Sequence, residues 1–469
     1  MTTRHLLKTL VISIVAFALF ACADDGGSGA TDDPGQKAES TAKPQKADQW
    51  NWTNNPDRFQ VEFDHSFETL IGYTEGRAAQ VPWPSDYWSY YQDSANVRYD
   101  GDQPSPVEKY DMAFNGWTLN PDHEPMDVSA DCEEKVIVLD ENQTAYYDNL
   151  GPAASWQHQY KGNYKAHDGI DNDNDGETDE CGGDDYDGIE TWWGLCHAWV
   201  PAAILEPEPQ KPVTVNGVTF STSDIKALLI AQYDKSSAHM LGGRCNAKEV
   251  ERDETGRPKD IECRDTNPGA FFVVITNMLG IHKRAFAEDR TLGYQVWNQP
   301  ILGYEIYEHN ELTEEEAMVK LEHEGEKFHE VFNSPEAVAW RYVRMGTDYI
   351  TESHNTDQGP LIETIHRWTK RDNYEMVLEI DADGNVVGGE WINYTQDTHP
   401  DFLWLPYAGR SGNPNMNMAK IKELLELSRK VDEPTTPTAD LALHEFADDA
   451  EIAIPDNDPI GISRSITID

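Results

Sequence analysis

Residues 190–205 read ETWWGLCHAWVPAAIL, which sets one cysteine, Cys196, between a tryptophan-glycine approach and a run of small apolar residues at helical density. Proline is tolerated only near the start of a helix, so Pro201 predicts a helix that begins close to Cys196. A thiol in the first helical turn meets backbone N–H groups without intrahelical acceptors and the positive end of the helix dipole, and both favour the thiolate. Gly194 is read as a sharp bend into the helix, and Trp192, Trp193 and Trp199 as an apolar wall around it. This window fits two readings equally: a nucleophile held at a helix tip, or an ordinary half-cystine in a packed segment.

The other cysteines bear on that choice. There are six, at 22, 132, 181, 196, 245 and 263. Arg4 and Lys8 precede an apolar run, Leu10 to Ala21, that is too short to span a bilayer, and Leu-Phe-Ala-Cys at 19–22 has the form of a lipoprotein processing site. Residues 1–22 are therefore expected to direct export, with Cys22 lipidated and anchoring the chain at a bacterial cell surface. The remaining cysteines are odd in number in an oxidising compartment. Cys245 and Cys263 flank a polar, turn-rich insert and are expected to pair. Cys132 and Cys181 are the natural second pair, which leaves Cys196 over.

Residues 23–49 carry almost nothing to bury and are expected to form a disordered tether. From Trp50 to about Ala130 the chain is dense in Trp, Tyr, Pro and Asn, as in VPWPSDYWSYYQDS at 81–94, without sustained periodicity. An irregular aromatic layer packed on a core is expected there, rather than a carbohydrate-binding surface.

Between Asp168 and Glu190 lie eleven acidic residues and no Lys or Arg. Within this run, DNDNDG at 171–176 followed by Asp179 alternates carboxylates before a turn glycine, the pattern by which hard oxygen ligands wrap Ca²⁺. Asp171, Asp173, Asp175 and Asp179 are the expected ligands, although Gly182 stands where an EF-hand has its glutamate. The segment EIDADGNVVGGEW at 379–391 has similar spacing, but its strand-like flanks favour a hairpin turning at Asp383-Gly384.

PVTVNGVTF at 212–220 reads as a hairpin, and Ser221 with Asp224 as the cap of a helix through DIKALLIAQYD. AFFVVITN at 270–277 is continuously apolar and of strand length, and a buried central strand is expected. Strands are also expected at 283–291, 294–308, 337–350 and 374–393, with a helix from Thr313 and an amphipathic helix at 418–431. A nucleophile helix followed by mostly antiparallel strands is an α+β plan.

VWNQPILGYEIYE at 296–308, together with WWGLCHAW, NPGAFFVVITN, EDRTLGYQVWNQP, GGEW and HPDFLWLP in that order, resembles the transglutaminase elicitor family over roughly residues 50–410. The resemblance implies a papain-like, transglutaminase-like α+β core over residues 50–431. It also implies calcium-dependent acyl transfer from a glutamine-bearing protein to an amine or lysine. Cys196 matches the family's nucleophile, and Asp289 in EDRT lies where a carboxylate would orient the base, though it fits a surface ion pair with Arg290 or Arg284 equally well. Trp193 fits an oxyanion site or plain packing.

The expected base is a histidine after the phenylalanine of an NPGxFH segment, and this chain has Phe272 there. His197 adjoins Cys196 but projects about 100° away along a helix. His239 and His282 are the other candidates. An enzyme impaired by Phe272, an inactive binding relative and a thiol hydrolase of amide or isopeptide bonds all remain open.

Residues 432–469 begin as a linker, and IPDNDPIGISRSITI at 454–468 resembles the first strand of the P-domain of secreted proteases. With 37 basic and 85 acidic residues the formal net charge is −48. Phosphates are repelled, which disfavours nucleic-acid binding, while divalent cations are favoured.

Overall fold

The structure is a computed structural model. It describes residues 53–126, 138–171, 189–247, 266–321 and 334–431, with Thr178, residues 249–251, Lys259 and Cys263 between them. The export segment with Cys22, the tether, Cys132, Cys181, Asp173, Asp175, Asp179 and the P-domain-like strand lie outside the described residues.

Among the described residues, ten strands form two sheets. The small one is the hairpin β2 (Val213–Val215) and β3 (Val218–Phe220), turning at Asn216-Gly217 as expected. The large one is a curled antiparallel sheet in the order β4 (Ser237–Gly242), β10 (Phe402–Ala408), β5 (Phe286–Asp289), β6 (Asn298–Leu312), β7 (Ala339–Ile350), β8 (Thr369–Ile380) and β9 (Val386–Trp391). A short strand, β1 (Glu75–Arg77), pairs with Gly303–Glu305 in the middle of β6. The chain is a mixed helix and sheet protein, as its sequence implies.

The helices are α1 (Phe67–Ile71), α2 (Pro106–Tyr110), α3 (Glu141–Asp148), α4 (Pro152–Lys161), α5 (Cys196–Leu205), α6 (Thr222–Gln232), α7 (Pro268–Ile275), α8 (Glu314–Lys320) and α9 (Met418–Arg429). Helix α5 begins at Cys196, as Pro201 requires. Ser221 and Asp224 form a reciprocal cap on α6, and Thr313 with Glu316 does the same on α8. The β8–β9 hairpin forms at the Asp-Gly turn, where Asp381 Oδ1 accepts from Asp383 N and Asn385 N.

One sequence expectation is overturned. Residues 270–277 are not a strand; Ala270 to Ile275 belong to α7, and a π-helical turn, Thr276–Ile281, follows. Asn267 caps α7 by accepting from Gly269 N at 2.8 Å, and Pro268 sits at the first helical position, so Asn-Pro-Gly is a helix-start signal. The missing periodicity follows from burial on every side, since all eight residues of α7 are buried. A Cβ on Gly269 would collide with the Gly388 backbone of β9, so this helix lies directly on the sheet.

The aromatic stretch at 81–94 is packing. Trp83 and Trp88 are fully buried, and Trp83 Nε1 donates to Glu206 O at 2.9 Å. Buried lysines fasten this layer to the body: Lys226 Nζ donates to Pro84 O at 2.9 Å, and Lys109 Nζ lies 2.6 Å from Asp224 Oδ2. Cys245 and Cys263 are disulfide-bonded, as their spacing suggests.

Candidate active site

The two faces of the large sheet carry different chemistry, and strand register says which residue lies on which. Antiparallel partners share a face, and successive residues alternate. Asp289 on β5 pairs with Asn298 on β6 and with Phe402 on β10, which places Asp289, Asn298 and Trp404 on one face, against α5. Glu288 pairs with Gln299 and Leu403 on the opposite face. Tyr374 OH donates to Glu288 Oε1 there at 3.1 Å, and its ring packs 4.9 Å from Phe271 of α7.

Cys196, 3% exposed, holds the first position of α5 and is in no disulfide among the described residues. Its Sγ lies 3.9 Å from the Val296 carbonyl oxygen, and Asn298 Nδ2 points at it from 3.9 Å. Trp404 Nε1 donates to Asn298 Oδ1 at 2.9 Å, which fixes the amide so that its NH₂ group faces the sulfur. Asp289 Oδ1 accepts from Trp297 N at 2.9 Å and from Thr291 Oγ1 at 3.1 Å. The three-residue segment Val296–Asn298 therefore touches both the thiol and the carboxyl.

Asp289 is fully buried, and its Oδ2 has no hydrogen-bond partner. Burial pushes its pKa up to about 7, against the pull of the N–H and O–H groups of Trp297 and Thr291. A carboxyl that titrates near neutrality is able both to accept and to return a proton.

The rim is aromatic. Tyr87 lies 6.4 Å from Trp297, and Trp192 lies 5.8 Å from Tyr294 and 6.3 Å from Trp193. Gly194 lies in the expected bend before α5, and close approach also requires it: a Cβ there would stand 2.5 Å from the ring of Tyr87, whose backbone carbonyl accepts from Leu195 N. Trp199 faces inward, donating through Nε1 to Trp83 O.

Of the residues weighed for the base, Phe272, His239 and His282 lie away from the thiol, and His197 lies beside it. Phe272 lies in α7, on the other side of the sheet from Cys196, stacked 5.9 Å from Phe67. It does not stand in for a base beside the thiol. His239 pairs with Leu405, on the Glu288 face. His282 Nε2 donates to Glu62 O at 3.0 Å and lines a cavity of about 960 Å³ that contains neither Cys196 nor Asp289.

His197 interacts with the Cys196 thiol, and its Nε2 lies 3.1 Å from Asp234 Oδ1, an oxygen also 3.2 Å from Lys161 Nζ. Burial works against charge on this ring, but Asp234 and the Cys196 thiol outweigh it and raise its pKa. Burial likewise opposes charge on Asp234, yet His197 and Lys161 bring it down to about 2.

The structure brings the expected Cys196 and Asp289 to one loop and sets beside them Asn298 and Trp404, which sequence reasoning did not single out. Both sat in words already singled out as family markers, the Trp-Asn-Gln-Pro core and HPDFLWLP, and the signal overlooked was a lone amide opening a buried strand. Of the expected calcium ligands, only Asp171 is among the described residues, and it is partly exposed.

A buried thiol at a helix start thus stands near a carboxyl and an amide on adjacent antiparallel strands. The chain belongs to the transglutaminase elicitor family, which matches residues 56–431. It is similar to the crystal structure of the GP42 transglutaminase from Phytophthora sojae at 30% identity and a TM-score of 0.58, over 79% of this chain and 95% of that one. No curated protein matches.

Proposed function

We propose that this chain is a protein-glutamine acyltransferase that works through a Cys196 thioester, with Asp289 in the place a histidine usually takes. The observation that carries this reading is the Val296–Asn298 segment, which touches the nucleophile and the carboxyl at once. The plan is papain-like: nucleophile on a helix tip, proton carrier on one strand, fixed amide on the next.

In the first half-reaction Asp289 takes the thiol proton and the thiolate attacks the γ-carboxamide carbon of a glutamine side chain. The C–N bond breaks, Asp289 returns the proton, and ammonia leaves a thioester behind. In the second half an amine attacks that thioester, gives its proton through Asp289 to the departing thiolate, and leaves an isopeptide bond with the enzyme restored. Asn298 Nδ2 stabilises negative charge on sulfur, and Asp234, by raising the pKa of the neighbouring His197 ring, favours positive charge beside it. With Phe272 in the packed layer under the opposite face, the residue that pointed toward a decayed enzyme no longer does so.

The test is incorporation of a fluorescent primary amine into a glutamine-rich protein. The rate should fall at least about 10³-fold in Cys196→Ala. Equal incorporation by the variant would remove the proposal.

Calcium fits the donor chemistry of Asp171, Asp173, Asp175 and Asp179, which offer hard oxygens at alternate positions. Bound there, it would neutralise an acidic run that leads into the Cys196 helix. Melting several degrees lower in EDTA than in millimolar Ca²⁺ is expected, and identical melting would exclude a structural calcium.

A further inference from the structure

The helix that presents the thiol has no side-chain cap of its own. Leu195 occupies the N-cap position of α5, and its side chain cannot accept the hydrogen bonds that Ser, Thr, Asp or Asn would. The turn before Cys196 is held from outside instead, by residues 85–90 of the aromatic layer. Tyr87 O accepts from Leu195 N at 2.6 Å, Tyr87 Oη donates to Thr191 O at 2.9 Å, and Tyr90 N donates to Trp193 O at 2.9 Å. The Tyr87 ring also fills the space beside Gly194, where a Cβ would collide with it.

Residues 85–90 are themselves fixed. Asp86 Oδ1 accepts from Trp88 N at 2.6 Å and Oδ2 from Asn355 N at 3.2 Å, and Ser353 N donates to Ser85 O at 3.0 Å. Trp88 is held at a φ of 50°, a left-handed conformation that a bulky side chain rarely adopts. Such strain persists only where neighbours over-determine it, and it gathers at functional segments. On its other side the Tyr87 ring packs 6.4 Å from that of Trp297. Trp297 is the middle residue of the segment whose Val296 carbonyl and Asn298 amide face Sγ and whose own N–H holds Asp289. Tyr87 therefore touches both walls of the site, the turn that carries the nucleophile and the segment that faces it.

We propose that Tyr87 is a positioning residue that sets the spacing between the Cys196 thiol and the Val296–Asn298 segment. It acts through the Thr191 and Leu195 backbone on one side and through the Trp297 ring on the other. The amide of Asn298 supports a thiolate only while sulfur stays within reach, because a charge-assisted hydrogen bond weakens steeply with distance and angle. Burial pushes the Tyr87 hydroxyl well above its ordinary value, so it remains a donor to Thr191 O while the thiol titrates. His197 and Asp289 bond to Asp234 and to Trp297 and Thr291, so replacing Tyr87 removes none of their hydrogen bonds. The expected effect on turnover rests on the acyl-transfer reading, whereas the effect on the ionisation of the thiol does not.

The experiment takes the full chain and measures iodoacetamide alkylation against pH, read by mass at the Cys196 peptide, beside kcat and KM for amine incorporation. Tyr87→Leu removes the ring and should raise the midpoint of the alkylation profile by at least about half a pH unit, as a thiolate losing its amide donor requires. The same variant should lower kcat at least about tenfold with KM for the amine within about threefold, the signature of lost alignment rather than lost binding. Tyr87→Phe keeps the ring and should restore the wild-type midpoint. Trp297→Leu breaks the contact from the far side and should act like Tyr87→Leu, and the double variant should do no more than either alone. If Tyr87→Leu fails to fold, Trp297→Leu decides. A midpoint that stays put in the folded variants, or additive shifts in the double variant, would overturn the assignment even if melting fell, since a merely structural residue changes stability alone. A wild-type chain that incorporates no amine would remove the acyl-transfer reading, and the alkylation midpoints would still decide the role of Tyr87.

Discussion

Glu288 and Asp289 are adjacent in the chain and face opposite sides of the same sheet. Both are fully buried, and each has one carboxyl oxygen without a hydrogen-bond partner. Burial raises both, Glu288 to about 8 with help from Asp372, and Asp289 to about 7. By titration alone they are equivalent candidates for proton transfer. Their neighbours separate them: Glu288 meets Tyr374 under the α7 layer, whereas Asp289 meets the loop that grips the Cys196 thiol. A perturbed carboxyl becomes chemically useful through what stands opposite it, and the pleat of one strand is enough to decide that.

The sharpest way to break this contrast is to neutralise each carboxyl in turn. Asp289→Asn should lower amine incorporation by about 10²–10⁴-fold, the usual range for loss of a general acid–base. The wild-type rate should rise as pH passes about 7, where Asp289 ionises, and the residual rate of the variant should lose that rise. Glu288→Gln should stay within about threefold of wild type. If the two variants suffered alike, the distinction between the faces would be wrong.

Phe272→His probes the opposite face by stability. It places a polar ring among Phe67 and the apolar residues of α7, so a loss of about 3 kcal/mol and no gain in amine transfer are expected from denaturant unfolding and the incorporation assay. A gain in turnover would mean that α7 reaches the thiol after all.

The smallest effect is a slope. Burial lifts Glu288 from 4.5 to about 8 in the folded protein, so the native state holds a proton that the unfolded chain has released. Its contribution is complete below about 4.5 and declines as pH rises toward about 8. Melting temperature should therefore drift down across that window, and Glu288→Gln should flatten the drift. An unchanged slope in the variant would show that Glu288 holds no such proton.

The sequence was informative where chemistry is local. Pro201 placed the start of the Cys196 helix, Ser221–Asp224 and Thr313–Glu316 announced their caps, and Asn216-Gly217 and Asp383-Gly384 their turns, because each acts through backbone groups a few residues away. The insert between Cys245 and Cys263 pointed to their disulfide for the same reason. It misled at AFFVVITN, since periodicity reports amphipathic exposure and a helix buried all round has none.

What the chain alone determined was a thiol at the tip of a helix and a family of related sequences. Tertiary structure alone decided which residues face that thiol. Asn298 lies 102 positions from Cys196, and its amide is aimed by Trp404, a further 106 along. Strand register, not spacing, makes them neighbours, and the same register sends Phe272 and Glu288 to the other side of the sheet. A side chain's face follows from pairing between distant strands, and no local pattern of residues encodes it.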